Sequence, residues 1–165
     1  MKKCVNYFKT TLYASSVNES YSRIMVAAFA SQLDPTVEEI ADIKTAVSEA
    51  VTNCIVHAYR GEQDEKKKKI YIDARYDADG MFTVSIKDCG CGIDNIKQAM
   101  EPLFTTDAAN ERSGMGFSIM ESFSDKLKVT SKPGHGTKVT MCKKLLPKKS
   151  LFTVISNATG AESNV

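Results

Sequence analysis

The sequence predicts an α/β fold, a two-layer sandwich in which a mixed, mainly antiparallel sheet carries its helices on one face. Three observations lead there. Two helical segments with a 3.6-residue apolar period occupy the first third of the chain after an opening strand. Two runs of period two, "KIYIDARY" and "MFTVSIKD", are joined by the turn "DADG". A second pair of alternating runs, "KLKVTSK" and "GTKVTMCKKLL", flanks "PGHG" near the end. Strands that arrive as hairpins pair antiparallel, and helices that precede them cover one side.

Each element has a local cause. Residues 5 to 14, "VNYFKTTLYA", are rich in β-branched and aromatic side chains and open the chain as a strand. Ser16 or Asn18, with Glu19 close behind, caps a helix whose apolar positions include Ile24, Ala27, Ala28, Val26, Phe29, Ala30 and Leu33. "DPTVEEI" starts a second helix, with Pro35 in its first turn and Glu38 and Glu39 facing the positive helix end; it runs to about Tyr59. "NIKQAM" forms a short helix, "EPLFTTDAANERSGMG" a long loop, and "FSIMESFS" a helix directly after two glycines. Residues 1 to 146 form one domain; 147 to 165, small and polar with weak periodicity, form a C-terminal extension expected to be disordered.

Composition removes several classes. A chain of 165 residues with 42% hydrophobic and 25% charged content can bury one core without disulfides or a structural metal. No apolar stretch reaches membrane-spanning length and the N-terminus lacks a signal-peptide core, so the expected location is the cytoplasm. A net charge of +2 is too small to argue for nucleic acid, and the run Lys66 to Lys69 reads as a solvated connection. Cys4, Cys54, Cys89, Cys91 and Cys142 are odd in number, without regular spacing, and are expected as reduced thiols.

Chemistry gathers at three places. In "SEAVTNCIVHAY", Ile43, Val47, Ala50, Val51, Cys54 and Ala58 share an apolar stripe, while Glu49 and Asn53 lie on its flank roughly 40° apart. There a carboxamide can supply oxygen to Mg²⁺ and a carboxylate can accept a proton. His57 falls nearer the stripe and is expected to pack. In "DCGCGI", Asp88 ends a strand, and Gly90 and Gly92 let backbone approach a flat ligand whose exocyclic amine the carboxylate can bind. Zinc at the Cys-x-Cys pair is disfavoured, because neither His57 nor His135 completes a ligand motif. In "RSGMGFSIM", Ser113, Gly114, Met115 and Gly116 lead into a helix and offer N–H groups to phosphate. The loop before it, with Thr105 and Thr106, has the length of an active-site lid. Neither a Walker A nor a Rossmann fingerprint is present.

In order and spacing these three stretches resemble the boxes of the gyrase, heat-shock-protein-90, histidine-kinase and mismatch-repair ATPase superfamily. "NESYSRIMVAAFASQLDPTVEEIADIKTAVSEAVTNCIVHAY" and "PLFTTDAANERSGMGFSIMESFSD" further resemble the sporulation anti-sigma F factors, over about residues 8 to 145. The resemblance implies the Bergerat ATP-binding fold, ATP and Mg²⁺. It implies Glu49 polarising the attacking nucleophile, Asn53 holding the metal, and Asp88 reading adenine in a pocket shaped by Gly90 and Gly92. Thr105 and Thr106 fall in the nucleotide lid, Arg112 near the γ-phosphate, and Ser113, Gly114, Met115, Gly116 and Phe117 on the phosphates. Arg23 matches an arginine used on protein partners. The implied activity is phosphorylation of a serine on an anti-anti-sigma protein, by a homodimer that also sequesters a sporulation sigma factor.

Two other readings share the motifs: a general stress anti-sigma kinase, and a holdase that binds nucleotide without transferring phosphate. A sensor histidine kinase is disfavoured, because the residues before the Glu49 helix contain no His.

Overall fold

The structure, a computed structural model, describes residues 4–101 and 114–145. Among these residues, five strands and four α-helices follow the expected order: β1 (Cys4–Tyr13), α1 (Val17–Ala30), α2 (Val37–Asn53), β2 (Lys69–Asp77), β3 (Met81–Asp88), α3 (Ile96–Ala99), α4 (Gly116–Ser122), β4 (Lys126–Lys132) and β5 (Gly136–Lys144). The sheet order is β1-β2-β3-β5-β4, and all four ladders are antiparallel. The expected α/β sandwich is therefore present, with no parallel pair among the described strands.

α2 is the central helix. Thr36 caps it through a full capping box: its hydroxyl accepts from the Glu39 N–H at 3.1 Å, and its own N–H donates to Glu39 Oε2 at 2.7 Å. Pro35 thus stands before the cap rather than in the first turn, because the cap needs extended backbone, which Thr36 adopts (φ −68°, ψ 163°). The helix continues past Asn53 as a single π-helical turn, Cys54–Ala58, close to the expected end.

The period-two runs sort their side chains as the alternation requires. Ile70, Ile72, Ala74, Phe82, Val84, Ile86, Val139 and Met141 point inward, where they meet Val26, Phe29 and Ala30 of α1, Val47, Ala50 and Val51 of α2, and Met120 of α4. At about 25 cal/mol per Å² of apolar surface, a fully buried side chain of this size contributes about 1.5–3 kcal/mol, so this single core carries the fold. Lys143 and Asp42 close its lower margin with a 3.0 Å ion pair between β5 and α2. The lysine run enters β2 through a short 3-10 turn, Glu65–Lys67, as a helix-to-strand connection. The boundary at 146 and the extension 147 to 165 lie outside the described residues.

The β4–β5 turn brings two glycines into the left-handed region for different reasons. Gly134 (φ +74°) faces open space, whereas a Cβ on Gly136 (φ +87°) would stand 2.3 Å from the Asp88 carbonyl oxygen. Gly134→Ala is expected to cost about 1–2 kcal/mol of backbone strain. Gly136→Ala should cost at least twice as much, because the β3 end must also move. Denaturant melts of the two variants test the difference, and equal losses would remove the steric claim.

Candidate functional site

A cavity of about 720 Å³ opens between α2, the end of β3, α3 and the start of α4. Glu49, Asn53, Asp88, Gly92, Gly114, Met115, Gly116 and Phe117 all line it, so residues far apart in sequence meet on one volume. Gly90 stands behind the wall instead. Its N–H donates to Asp88 Oδ1 at 2.9 Å, and a Cβ there would fall 1.9 Å from the Ala58 carbonyl oxygen. Thr105, Thr106, Arg112 and Ser113 lie outside the described residues.

Asp88 is a buried part of the cavity wall. Only 4% exposed, it accepts from the N–H groups of Gly90 and Thr137 (2.9 and 3.2 Å) through Oδ1, and from the Cys54 thiol through Oδ2 at 3.7 Å. Burial pushes its pKa above the ordinary aspartate value, and the two N–H donors and the thiol offset only part of that. Burial, reinforced by the Asp88 charge, also drives the Cys54 thiol well up, which makes Cys54 an inert wall at neutral pH. Oδ2 has one weak donor, the thiol of Cys54, which also lines the cavity. It is the oxygen with capacity left for a ligand donor.

The turn after Asp88 explains the glycines. Cys91 N–H donates to the Ala58 carbonyl and Gly134 N–H to the Cys91 carbonyl, both at 2.7 Å, so the turn is threaded between the end of α2 and the β4–β5 turn. Gly92 (φ +73°) passes so close to Lys132 that a Cβ would sit 2.3 Å from its carbonyl oxygen. Cys91 points its thiol at the His57 carbonyl (3.3 Å), and Cys89 donates its N–H to the Tyr59 hydroxyl (3.1 Å). No group of three or more His, Cys, Asp or Glu among the described residues could hold a metal ion. The glycines make this turn and the cysteines ride on it.

On the same cavity, α4 begins against α2. A Cβ on Gly116 would stand 3.1 Å from Glu49 Oε2 and 3.5 Å from Asn53 Nδ2, so the backbone at the start of α4 lies close to both side chains. The first N–H groups of α4, which a helix leaves without intrahelical partners, therefore open beside a carboxylate and a carboxamide. Asn53 Oδ1 and the Glu49 carboxylate are hard oxygen donors, suited to Mg²⁺. That ion prefers one or two protein oxygens, with phosphates and water supplying the rest.

His57 departs from its expected packing role. It lines the cavity, and its Nδ1 lies 2.9 Å from Arg60 Nη2. The cause is the π turn, whose wider i→i+5 bonding advances fewer degrees per residue and swings His57 back toward the Glu49–Asn53 flank. Spacing reasoning on a straight helix could not find it. Thr137, Arg60, Asp94 and Gln98 were also missed as lining residues. Of these only Thr137 had a signal, its place after a turn glycine. Arg23 is not among the lining residues. On α1, it pairs with Glu19 at 2.7 Å, and Glu19 also accepts from the Ser48 hydroxyl of α2. Burial raises the Glu19 pKa, but Ser48 and Arg23 outweigh it and hold the carboxyl below its ordinary value.

Comparison with known proteins agrees with this geometry. Residues 16–143 match the histidine kinase-like ATPase domain family. The chain is 52% identical to the anti-sigma F factor of Caldanaerobacter subterraneus subsp. tengcongensis over 138 residues, covering 84% of this chain and 93% of that one. It is 47% identical to the anti-sigma F factor of Halalkalibacterium halodurans over 146 residues, covering 88% and 97%. In fold it is similar to the RsbU and RsbW domains of a Mycobacterium tuberculosis protein (TM-score 0.62, 20% identity, 86% of this chain and 33% of that chain). It is also similar to a chain of the SiaB–SiaC complex of Pseudomonas aeruginosa (TM-score 0.60, 12% identity, 86% and 90%).

Because the folded pKa of Asp88 is raised, its charge opposes folding at neutral pH and its protonated form does not. Asp88→Asn should therefore melt at an equal or higher temperature than the parent at pH 7. The two curves should converge as pH falls through the folded pKa toward the unfolded value. Melting curves from pH 3.5 to 7.5 check this, and a variant that is less stable at pH 7 with no convergence would reverse the sign.

Proposed function

We propose, from the premise that the chain belongs to the anti-sigma F factor family of histidine kinase-like ATPase domains, that it is an anti-sigma factor and an ATP-dependent protein-serine kinase acting in the cytoplasm. Its partners are a sporulation sigma factor, which it sequesters as a homodimer, and an anti-anti-sigma protein that it phosphorylates. The observation that carries the reading is the convergence of Glu49 and Asn53 on the backbone of Gly116, in the cavity that the buried Asp88 also lines.

In this reading adenine sits against Asp88, whose Oδ2 accepts from the exocyclic amine. The phosphates extend toward the N–H groups at Gly114 to Phe117, with Thr105, Thr106, Arg112 and Ser113 contributing from the preceding loop. Asn53 would hold Mg²⁺, which neutralises phosphate charge when bound. Glu49 accepts the proton of the incoming serine hydroxyl as its oxygen forms a bond to the γ-phosphorus, and the bond from that phosphorus to the β,γ-bridging oxygen breaks to leave ADP. Phosphoryl transfer of this kind needs positioning and electrostatic stabilisation more than covalent help from the protein. Arg23, on the outer side of α1, belongs to the partner surface.

Relatives at 47–52% identity over most of both chains carry the anti-sigma F name, which favours sporulation over the stress-response alternative. The holdase alternative differs at one residue, because binding nucleotide alone requires no base at Glu49.

Glu49→Gln is expected to keep ATP affinity within about threefold and to lower serine phosphorylation by about 10²-fold or more, the usual contribution of a positioned base. Single-turnover transfer from Mg-ATP to the anti-anti-sigma protein, read by mass spectrometry beside ATP titration, decides it. Equal transfer by both proteins would remove Glu49 from this role.

A further inference from the structure

The nucleotide cavity uses only the inner side of the sheet. On the outer side, β3, β5 and β4 present Lys87, Lys138, Lys126, Lys128 and Lys132, all exposed. Their neighbours on the inward face, Ile86, Val139, Leu127 and Val129, belong to the core, so the alternation places all five lysines on the opposite side. None of the five forms an ion pair among the described residues. Of the acids flanking these strands, Asp73 pairs with Lys9 at 3.4 Å, and Asp125 accepts from the Lys144 backbone N–H at 2.6 Å.

Two of these lysines cannot be explained by protection of an edge. Lysine on an edge strand discourages unwanted pairing, and β4 is an edge, which accounts for Lys126, Lys128 and Lys132. β3 and β5 are internal, with ladders on both sides. Yet Lys87 and Lys138 are register partners, two like charges directly opposite one another, with Tyr71 and Thr130 beyond them in the same row. Opposed like charges on adjacent strands destabilise a sheet. The fold accepts that cost at a position where almost any polar residue would serve packing equally well.

We infer that the outer face of β3, β5 and β4 is a docking surface for an acidic polypeptide segment, whose carboxylates neutralise the Lys87–Lys138 pair. The lysines are spread over three strands, about 4.8 Å apart across the sheet and about 6.6 Å apart along β4, a two-dimensional array that suits carboxylates one turn apart on a helix. Nucleic acid fits less well. The five contain no arginine for bidentate phosphate contacts, and the whole chain, at net charge +2 and pI about 8.2, lacks the strongly basic balance of a polyanion binder. The inference is independent of the kinase reading, since no lining residue of the nucleotide cavity is involved.

The test uses the full chain with saturating Mg-ATP, so that the nucleotide cavity is occupied, and a fluorescein-labelled deca-glutamate peptide as the probe. Anisotropy at 50 and 200 mM salt is expected to show salt-sensitive binding, weakened at least tenfold in Lys87→Gln/Lys138→Gln. The same variant should melt at an equal or higher temperature than the parent, because a repulsion has been removed; a purely structural role for the lysines would lower it. Lys138→Gln alone should move both readings in the same directions by less. Absence of peptide binding, binding unchanged in the double variant, a lowered melting temperature, or tighter binding of an oligothymidylate of equal charge would each overturn the inference.

Discussion

Asp88 ends β3 with a carboxylate that is 4% exposed and that draws N–H groups from a turn and a strand, Gly90 just after it and Thr137 at the start of β5. A buried carboxylate is tolerated only where hydrogen bonds replace its water, and those bonds dictate the neighbouring backbone. Gly90 must lie against Ala58, Gly136 against the Asp88 carbonyl, and Gly92 against Lys132, each at a distance no side chain could share. The β4–β5 hairpin, the turn after β3 and the end of α2 are consequently locked to one another around one oxygen pair. The oxygen left with spare capacity is Oδ2, whose donor is the Cys54 thiol.

The second constraint is that α2 serves both the core and the cavity. Its apolar stripe holds Val47, Ala50 and Val51 fully buried, while Glu49 and Asn53 sit on the flank. A uniform α-helix would keep drifting toward the core beyond Asn53. The π turn at Cys54–Ala58 corrects the drift: Cys54 and Ala58 stay buried, His57 reaches the cavity, and the Ala58 carbonyl remains available to Cys91 N–H. A π turn gives up good hydrogen-bond geometry, and such turns are found frequently at functional sites.

The fold was legible because strands and helices here announce themselves by different periods, and because DADG and PGHG are turn sequences whose neighbours must pair as hairpins. Glu49, Asn53, Asp88 and Gly116 were legible because helix spacing and turn chemistry locate them before any tertiary contact is known. Thr137, His57 and Arg60 were not. Thr137 reaches Asp88 through strand register, His57 reaches the cavity through a π turn that no propensity marks, and Arg60 follows His57. Gly90 was legible as a glycine but not in its role, since spacing cannot separate a residue that lines a cavity from one that lets the wall close.

The geometry also joins α1 to the turn of α2 that carries Glu49. Glu19 accepts from Arg23 on its own helix and from Ser48 on α2, and Ser48 immediately precedes Glu49. The Arg23–Glu19 pair is partly open to solvent, with the arginine side chain 38% exposed, and pairs in that setting contribute about 0–1 kcal/mol. Opening the Arg23–Glu19 pair therefore costs little. Glu19 would then keep Ser48 as its remaining strong partner, while its carboxyl lost part of what holds its pKa down. Glu19 is thus the one side chain that bonds both Arg23 on α1 and Ser48 on the α2 turn that carries Glu49.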